Sequence, residues 1–140
     1  MNGVPALLDL TPFVSTTLDY ITVSRYQITF VFSGDPRKEK DHWITAEGYW
    51  EIRDEQSVVV DNAMENDERD VYRFHRLLSC TVTETRVNPP TSFTLTFDNG
   101  LSLTFVFNLA GHECCSIETG KGEIHIPWPS RYVRGTGRKA

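Results

Sequence analysis

The densest group of reactive side chains in the sequence is the run His-Glu-Cys-Cys at positions 112–115. On a β-strand, where alternate side chains point to opposite faces, His112 and Cys114 would share one face. They could bind zinc with a third ligand such as His125 or Cys80, but the paired ligand spacing of structural zinc sites is missing. Free cysteine is among the most buried residue types, so we favour core cysteines and a surface histidine, and we predict no metal site.

The same cysteines are weak candidates for a catalytic nucleophile. Such a thiol needs a lowered pKa, and neither Cys114 nor Cys115 stands at a strand-to-helix elbow or at the start of a helix. Adjacent cysteines on a strand point to opposite faces, so we expect reduced thiols in this chain. We predict no catalytic residue and no cofactor, and a chemical role for His112, Cys114 and Cys115 stays open.

Carboxylates beside the predicted strands could converge as a general acid and a general base. The candidates are Glu47, Glu51, Glu113, Glu118 and Glu123. Nothing in their spacing selects a pair, and solvated side chains on the outer face of a sheet are the expected explanation. The sequence therefore favours binding over catalysis.

Residues 51–70 are strongly acidic, because eight carboxylates there face only two arginines. The segment lacks the Asp-x-Asp-x-Asp-Gly order of a hand-type calcium loop, so we interpret it as a surface that attracts a basic protein. Nearby aromatic side chains could anchor such a partner, since they bury a large area at little conformational cost. The predicted partner-binding residues are Trp43, Tyr49, Glu65, Asp67, Glu68, Asp70 and Trp128.

These side chains need a framework of strands, and the clearest strands lie within residues 92–107. Apolar residues alternate with Thr and Ser on both sides of Asp98-Asn99-Gly100, which predicts a β-hairpin with one apolar face. We expect a tight primed turn, because Asn-Gly readily adopts the positive φ angles that such a turn needs.

Further strands are predicted on both sides of this hairpin. They cover residues 17–32 as two strands or one bent strand, 43–53 with a bulge at Gly48, 58–60, 80–87, 113–117 and 123–126. One helical turn is expected at residues 13–15. A longer helix is expected at residues 67–78, where apolar side chains recur at three- and four-residue spacing.

The order of these elements repeats along the chain. At a constant spacing, Leu10, Phe13, Val14, Ser15, Leu18 and Val23 align with Phe74, Leu77, Leu78, Ser79, Val82 and Val87. After a gap, Tyr26, Ile28 and Phe30 align with Phe93, Leu95 and Phe97, and Trp50-Glu51-Ile52 falls near Cys115-Ser116-Ile117. We predict two related halves, residues 9–53 and 73–126, which pack together because neither covers its apolar sheet face alone.

Length and charge limit the class of protein. A chain of 140 residues is one ordinary domain, which we place at residues 1–130, with a mobile basic tail at 131–140. The net charge of −5 argues against nucleic acid as a partner. Neither a membrane-length apolar run nor a signal peptide is recognisable, so we predict a cytoplasmic protein without membrane contact.

A resemblance to a known family involves residues 25–30 (Arg-Tyr-Gln-Ile-Thr-Phe) and 95–103 (Leu-Thr-Phe-Asp-Asn-Gly-Leu-Ser-Leu), followed by Glu113 and Ile117. The chain resembles small bacterial β-rich proteins of an uncharacterised domain family over roughly residues 10–126. The resemblance implies two copies of a similar strand pattern. Some relatives resemble immunity proteins of toxin systems, which implies protein binding and supplies no catalytic residues.

We therefore predict a single α+β domain, mainly an antiparallel sheet of two related halves with one or two short helices, curled toward a sandwich or an open barrel. The predicted function is non-catalytic protein binding, as an immunity-type inhibitor of a basic toxin. Two alternatives stay open. One is a small-molecule-binding protein or enzyme with a pocket between the halves, and the other is a self-associating module with an aromatic homodimer face.

Overall fold

The computed structural model describes residues 3–24, 27–34, 42–62, 74–107, 115–120 and 122–126. Within these ranges the chain forms ten strands and two short 3₁₀ turns, Thr11–Phe13 and Phe74–Leu77. The strands are β1 (Thr17–Val23), β2 (Ile28–Ser33), β3 (His42–Ala46), β4 (Tyr49–Arg53), β5 (Val59–Asn62), β6 (Val82–Asn88), β7 (Ser92–Phe97), β8 (Ser102–Val106), β9 (Cys115–Glu118) and β10 (Glu123–Ile126).

The strands form two antiparallel sheets of five. Sheet A has the order β1-β2-β3-β9-β10, and sheet B has the order β5-β4-β8-β7-β6. The sheets meet at one corner, where Thr17 of β1 forms an antiparallel bridge with Thr81, just before β6. The Leu18 amide donates to the Cys80 carbonyl at 3.0 Å, and the Val82 amide donates to the Thr16 carbonyl at 2.8 Å. The two sheets do not close into a barrel.

Aromatic side chains from both sheets fill the space between them. Phe30 of sheet A lies edge-on to Trp50 and Phe105 of sheet B, with ring centroids 6.0 and 5.8 Å apart. Phe74, from the second 3₁₀ turn, packs on the same side of Phe30 at 6.3 Å. All four side chains belong to one continuous core. The prediction of a mainly antiparallel β protein is thus confirmed, in the form of a sandwich.

The helical part of the α+β prediction is confirmed only in part, because the short helices of the described residues are the 3₁₀ turns Thr11–Phe13 and Phe74–Leu77. The described residues contain no α-helix, and of the helix expected at residues 67–78 the part 67–73 lies outside the described ranges. Phe74 and Leu77 are buried on a single 3₁₀ turn. A three-residue apolar spacing fits a 3₁₀ turn as well as an α-helix, since side chains at i and i+3 eclipse there. No described helix has the length and hydropathy of a membrane span.

The hairpin expected within residues 92–107 is confirmed as β7 and β8, but its turn is not a primed turn. The Phe97 amide donates to the Leu101 carbonyl at 2.9 Å, and the Gly100 amide donates to the Phe97 carbonyl at 3.0 Å. Gly100 has a φ of 89°, whereas Asn99 has a negative φ. These features define a three-residue loop that ends in a left-handed glycine.

The strand expected at residues 43–53 is two strands that belong to different sheets. Ile44 of β3 and Trp50 of β4 both point into the core, as the alternation predicts. Between them, Glu47 and Gly48 carry the chain from sheet A to sheet B. When a chain crosses from one sheet to the facing sheet, every second side chain can still point into the core. The alternation of apolar and polar residues is then the same as in one continuous strand, so it does not show where the chain changes sheet.

The two sheets share one topological pattern. If each strand of sheet A is replaced by the strand five places away in the chain, the order becomes β6-β7-β8-β4-β5. This is the order of sheet B read from its other edge. One local irregularity follows the same exchange, because β1 has a bulge between Leu18 and Tyr20 and β6 has one between Val82 and Glu84. The register shift between Ile52 and Arg53 in the β4–β5 pair has no counterpart in the β9–β10 pair.

Candidate functional site

The outer face of sheet A carries a row of apolar side chains that we call the aromatic row, Tyr20, Val31 and Trp43. Tyr20 pairs with Val31 and Val31 pairs with Trp43 in the strand register, so the three side chains are neighbours across β1, β2 and β3. Tyr20 is 48 % exposed, Trp43 is half-buried, and Val31 between them is 6 % exposed. The row continues in register with Glu118 and then Glu123, so two carboxylates extend it.

The corresponding row of sheet B is polar. It begins with Glu84, the first residue after the bulge of β6, just as Tyr20 is the first residue after the bulge of β1. Glu84 pairs with Thr96, and Thr96 pairs with Ser102. The two outer faces therefore differ in chemistry at matching positions of matching strands.

Tyr49, a predicted partner-binding residue, lies on the outer face of sheet B and not beside Trp43. Its hydroxyl donates to Glu51 Oε1 at 2.9 Å, and Arg53 Nε donates to Glu51 Oε2 at 2.5 Å. The bond from Arg53 lowers the pKa of Glu51, while burial and the bond to Glu51 raise the pKa of Tyr49. These three side chains form a locally satisfied network, which gives Glu51 a structural role.

The acidic segment 51–70 is not a uniformly solvated surface where the structure describes it. Asp54 Oδ1 accepts bonds from the Gln56 and Val58 amides at 2.9 and 3.0 Å, so Asp54 stabilises its own turn. Asp61 is 5 % exposed, and its Oδ2 accepts a bond from the Phe74 amide at 3.0 Å. The remaining predicted partner-binding residues, Glu65, Asp67, Glu68, Asp70 and Trp128, lie outside the described residues.

The described cysteines have no reactive setting. Cys115 of β9 is fully buried in the core, and Cys80 is half-buried, with its Sγ 3.5 Å from the Arg76 carbonyl oxygen. Burial raises the pKa of the Cys80 thiol, which keeps it protonated. His112 and Cys114 lie outside the described residues. Within the described part of the chain, no three His, Cys, Asp or Glu side chains come together as a metal site would require.

A surface cleft of about 380 Å³ lies between the segment around the first 3₁₀ turn and the turn that joins β9 to β10. Its lining residues are Pro5, Leu7, Leu8, Asp9, Pro12, Thr119, Gly122, Glu123 and Ile124. The sequence does not indicate this cleft, because its two walls are more than a hundred residues apart in the chain and neither carries a recognisable motif.

Carboxylates hold both walls of this cleft in shape. Asp9 Oδ1 accepts bonds from the amide and the hydroxyl of Thr11, at 3.0 and 2.6 Å. On the other wall, Glu118 Oε2 accepts bonds from the amides of Gly120 and Gly122, at 2.9 and 3.1 Å. Since short side-chain bonds to backbone amides restrict a turn to few conformations, the cleft is preformed.

Comparisons of this chain with protein-family models, with characterised proteins and with solved structures find no match.

Proposed function

We propose that the protein is a non-catalytic module that binds a basic protein, as a cytoplasmic immunity-type inhibitor would. The observation that carries this proposal is the aromatic row on the outer face of sheet A. Aromatic side chains on a sheet surface are effective anchors for a partner, because each removes a large apolar area from water at a small cost in conformational entropy.

The fold itself does not require aromatic residues at these positions. The matching row of sheet B consists of Glu84, Thr96 and Ser102, in strands with the same order and the same bulge. A sheet of this topology therefore tolerates a polar outer row. The larger apolar side chains Tyr20 and Trp43 need another reason, and contact with a partner supplies one.

Charge favours a basic partner. Glu118 and Glu123 extend the aromatic row in register, and the whole chain has a net charge of −5. Opposite charge speeds encounter and penalises acidic competitors. In this proposal, the acidic side chains at positions 65, 67, 68 and 70 add to the same electrostatic attraction.

We also propose that the chain is built from two related halves, residues 9–53 and 73–126. Three features support this proposal. The strand orders interconvert once β5 (Val59–Asn62) is counted with the first half, which then ends at residue 62 and not at residue 53. Ser15 and Ser79 both have a positive φ at a separation of 64 residues, and the hydroxyl pair Thr29–Thr45 has a counterpart in Thr94–Thr104. When the two halves are compared by strand register, Phe30 corresponds to Leu95. The sequence alignment paired Phe30 with Phe97, so the two comparisons differ by two residues in this strand.

The filled core disfavours the alternative of a ligand pocket between the sheets. Phe30, Trp50 and Phe105 meet face to edge in the space where such a pocket would lie. An interior ligand would have to displace these rings from a packed arrangement, at a cost of several kcal/mol.

The test compares two sets of variants of the immobilised protein in the lysate of its source cell. The first set removes the aromatic row (Tyr20→Thr with Trp43→Thr) or the acidic charge (Glu65→Gln, Asp67→Asn, Glu68→Gln and Asp70→Asn). The control set changes the matching row of sheet B (Thr96→Ala with Ser102→Ala). Each variant is first checked for an unchanged circular dichroism spectrum.

We expect the wild type and the control to retain a stoichiometric basic protein, and the first set to lose it by at least about 30-fold in affinity. Equal retention by all variants would contradict the proposal. A concentration-dependent homodimer that is lost only when the aromatic row is removed would also contradict it, because the row would then serve self-association.

A further inference from the structure

Asn99 and Gly100, in the loop that joins β7 to β8, form a dipeptide with a chemistry of its own. In an Asn-Gly pair the glycine amide nitrogen can attack the side-chain carbonyl carbon of asparagine, because glycine has no side chain to hinder the approach. Asn99 is exposed, so water reaches it. The loop therefore contains a candidate site for a covalent change that needs no enzyme.

The reaction has two steps, and water is its only other reactant. In the first step the Gly100 nitrogen forms a bond to Asn99 Cγ and the Cγ–Nδ2 bond breaks. The amide proton of Gly100 leaves with Nδ2 as ammonia, and a succinimide ring remains. Water then opens the ring at either carbonyl, which gives aspartate or isoaspartate at position 99. No electrons are transferred, and a neutral amide is replaced by a carboxylate.

The folded loop holds both reacting groups in other bonds. The Gly100 amide donates to the Phe97 carbonyl at 3.0 Å, so the attacking nitrogen is engaged. Asn99 Nδ2, the leaving group, donates to the Arg76 carbonyl at 3.1 Å, and Oδ1 accepts a bond from the Leu101 amide at 3.1 Å. Ring closure must release the nitrogen and rotate the side-chain amide. These bonds therefore have to break before the reaction can start.

Negative charge beside the loop opposes the same step. A Cβ built on Gly100 would lie 2.8 Å from Glu55 Oε2, so this carboxylate is close to the glycine. Asp98 precedes Asn99 in the loop and is exposed. The attacking nitrogen has to lose its proton, and negative neighbours disfavour the anion that this creates.

The side chain of Asn99 also fixes the loop to the corner where the two sheets meet. Its bond to Arg76 reaches the second 3₁₀ turn, and Asp98 Oδ1 accepts a bond from the Thr81 amide at 3.2 Å. Thr81 in turn forms the bridge with Thr17 of sheet A. A carboxylate at position 99 has no hydrogen to donate and would place an anion against the Arg76 carbonyl oxygen. The modified loop therefore cannot restore this bond.

We propose that Asn99 is a site of spontaneous modification that the native loop protects, and that the succinimide forms when the β7–β8 loop opens while the sheets stay folded. Only the bonds of one exposed loop have to break, which costs less free energy than unfolding the core. The change runs in one direction, because a loop that has opened and reacted is held less firmly afterwards. This inference is independent of the proposed function and uses none of its residues.

The test measures modification of the full chain at neutral pH, with and without concentrated urea, by mass spectrometry of its peptides. Asn2-Gly3 has the same dipeptide and serves as the internal reference in urea. There we expect Asn99 and Asn2 to react at equal rates. In buffer alone the reaction at Asn99 should be about 30–100-fold slower than in urea, because two or three hydrogen bonds must break first.

Two variants distinguish opening of the loop from unfolding of the whole protein. Asp98→Ala removes the bond to Thr81 and leaves the reacting residues in place, so the reaction in buffer should be about five-fold faster. Thr83→Ala is the matched control and should leave the rate unchanged, because it removes a bond of 3.2 Å to the Thr96 carbonyl, away from the loop. Each rate is divided by that of the same variant in urea, which cancels any change in intrinsic reactivity.

A second pair of variants tests the consequence of the modification. Asn99→Asp reproduces one product of the reaction and should unfold at a lower urea concentration than the wild type. Asn88→Asp makes the same change of charge at an exposed position of β6 and should unfold like the wild type. Every variant is first checked for an unchanged circular dichroism spectrum.

Three results would overturn the proposal. The first is a reaction at Asn99 that is as fast in buffer as in urea, because the native loop would then give no protection. The second is equal acceleration by Thr83→Ala and Asp98→Ala, because the reaction would then require unfolding of the whole protein. The third is an Asn99→Asp variant as stable as the wild type, because the lost bond would then have no consequence.

Discussion

Replacing Asp61 tests whether a single buried carboxylate fixes the second 3₁₀ turn to sheet B. Asp61 lies in β5 and is 5 % exposed. Its Oδ2 accepts a bond from the Phe74 amide at 3.0 Å, thirteen residues away, and its Oδ1 accepts one from the Asn62 amide at 2.9 Å. The Phe74 ring in turn packs on Trp50 at 5.8 Å, so the turn and the core depend on the same contact.

The size of the effect follows from the number of bonds and from their burial. A hydrogen bond to a charged acceptor contributes about 1.5–3 kcal/mol, and a buried amide that loses its acceptor costs more than an exposed one. Asp61→Ala removes both acceptor oxygens and should lower the free energy of unfolding by about 3–5 kcal/mol. Asp61→Asn keeps one acceptor and places an NH₂ group against the other amide, so we expect about 2 kcal/mol.

Urea denaturation followed by tryptophan fluorescence measures these differences, provided that the m-value is unchanged. Asp54 is the matched control, because it also accepts two backbone amides but in an exposed turn. Asp54→Ala should cost about 1 kcal/mol or less. If Asp61→Ala cost no more than Asp54→Ala, burial would not be the source of the effect and the reasoning would fail.

Three further predictions concern acid stability, a turn and a thiol. The bond from Arg53 lowers the pKa of Glu51 in the folded protein. The ionised carboxylate therefore stabilises the fold at pH values above the pKa of an unfolded glutamate, and this stabilisation is lost as the pH falls through the lowered pKa. In Glu51→Gln the free energy of unfolding should decline less at acid pH, by about 1 kcal/mol. Gly100→Ala should destabilise by about 1–2 kcal/mol in thermal unfolding, since its φ is 89° and the new Cβ would lie 2.8 Å from the Glu55 carboxyl carbon; the loss should shrink, without vanishing, in a Glu55→Ala background. Because burial raises the pKa of Cys80, iodoacetamide should modify it more slowly than it modifies free cysteine at pH 8, as measured by mass spectrometry; faster modification would contradict the assignment.

Local patterns in the sequence predicted strands well, because an apolar face requires a period of two wherever a strand covers a core. The β7–β8 hairpin and the separate strands β1 and β2 are examples. The predicted turn type of this hairpin was wrong, because the dipeptide Asn-Gly is compatible with several types of turn. Asp98 accepts a hydrogen bond from the Thr81 amide, and the Asn99 side chain donates one to the Arg76 carbonyl. Both partners lie before β6, about twenty residues away, so no local pattern contains these contacts.

The candidate sites were less predictable than the strands. Trp43 and Tyr49 are six positions apart and share one alternation pattern, yet they lie on the outer faces of different sheets. The aromatic row needs the pairing of three strands, and Tyr20 enters it only through the bulge of β1. The cleft joins residues from the two ends of the described chain. Which side chains become neighbours depends on pairing between distant segments, which composition and spacing do not encode.

The distribution of the strands over the two sheets determines how the molecule unfolds. The first five strands supply three strands to sheet A and two to sheet B, and the last five do the reverse. Each group thus contains a two-stranded hairpin, β4–β5 or β9–β10, that joins its sheet only through a strand of the other group. We expect a single cooperative unfolding transition with no half-folded species. For the same reason, two fragments divided between β5 and β6 should each be unstructured alone and should fold only when mixed.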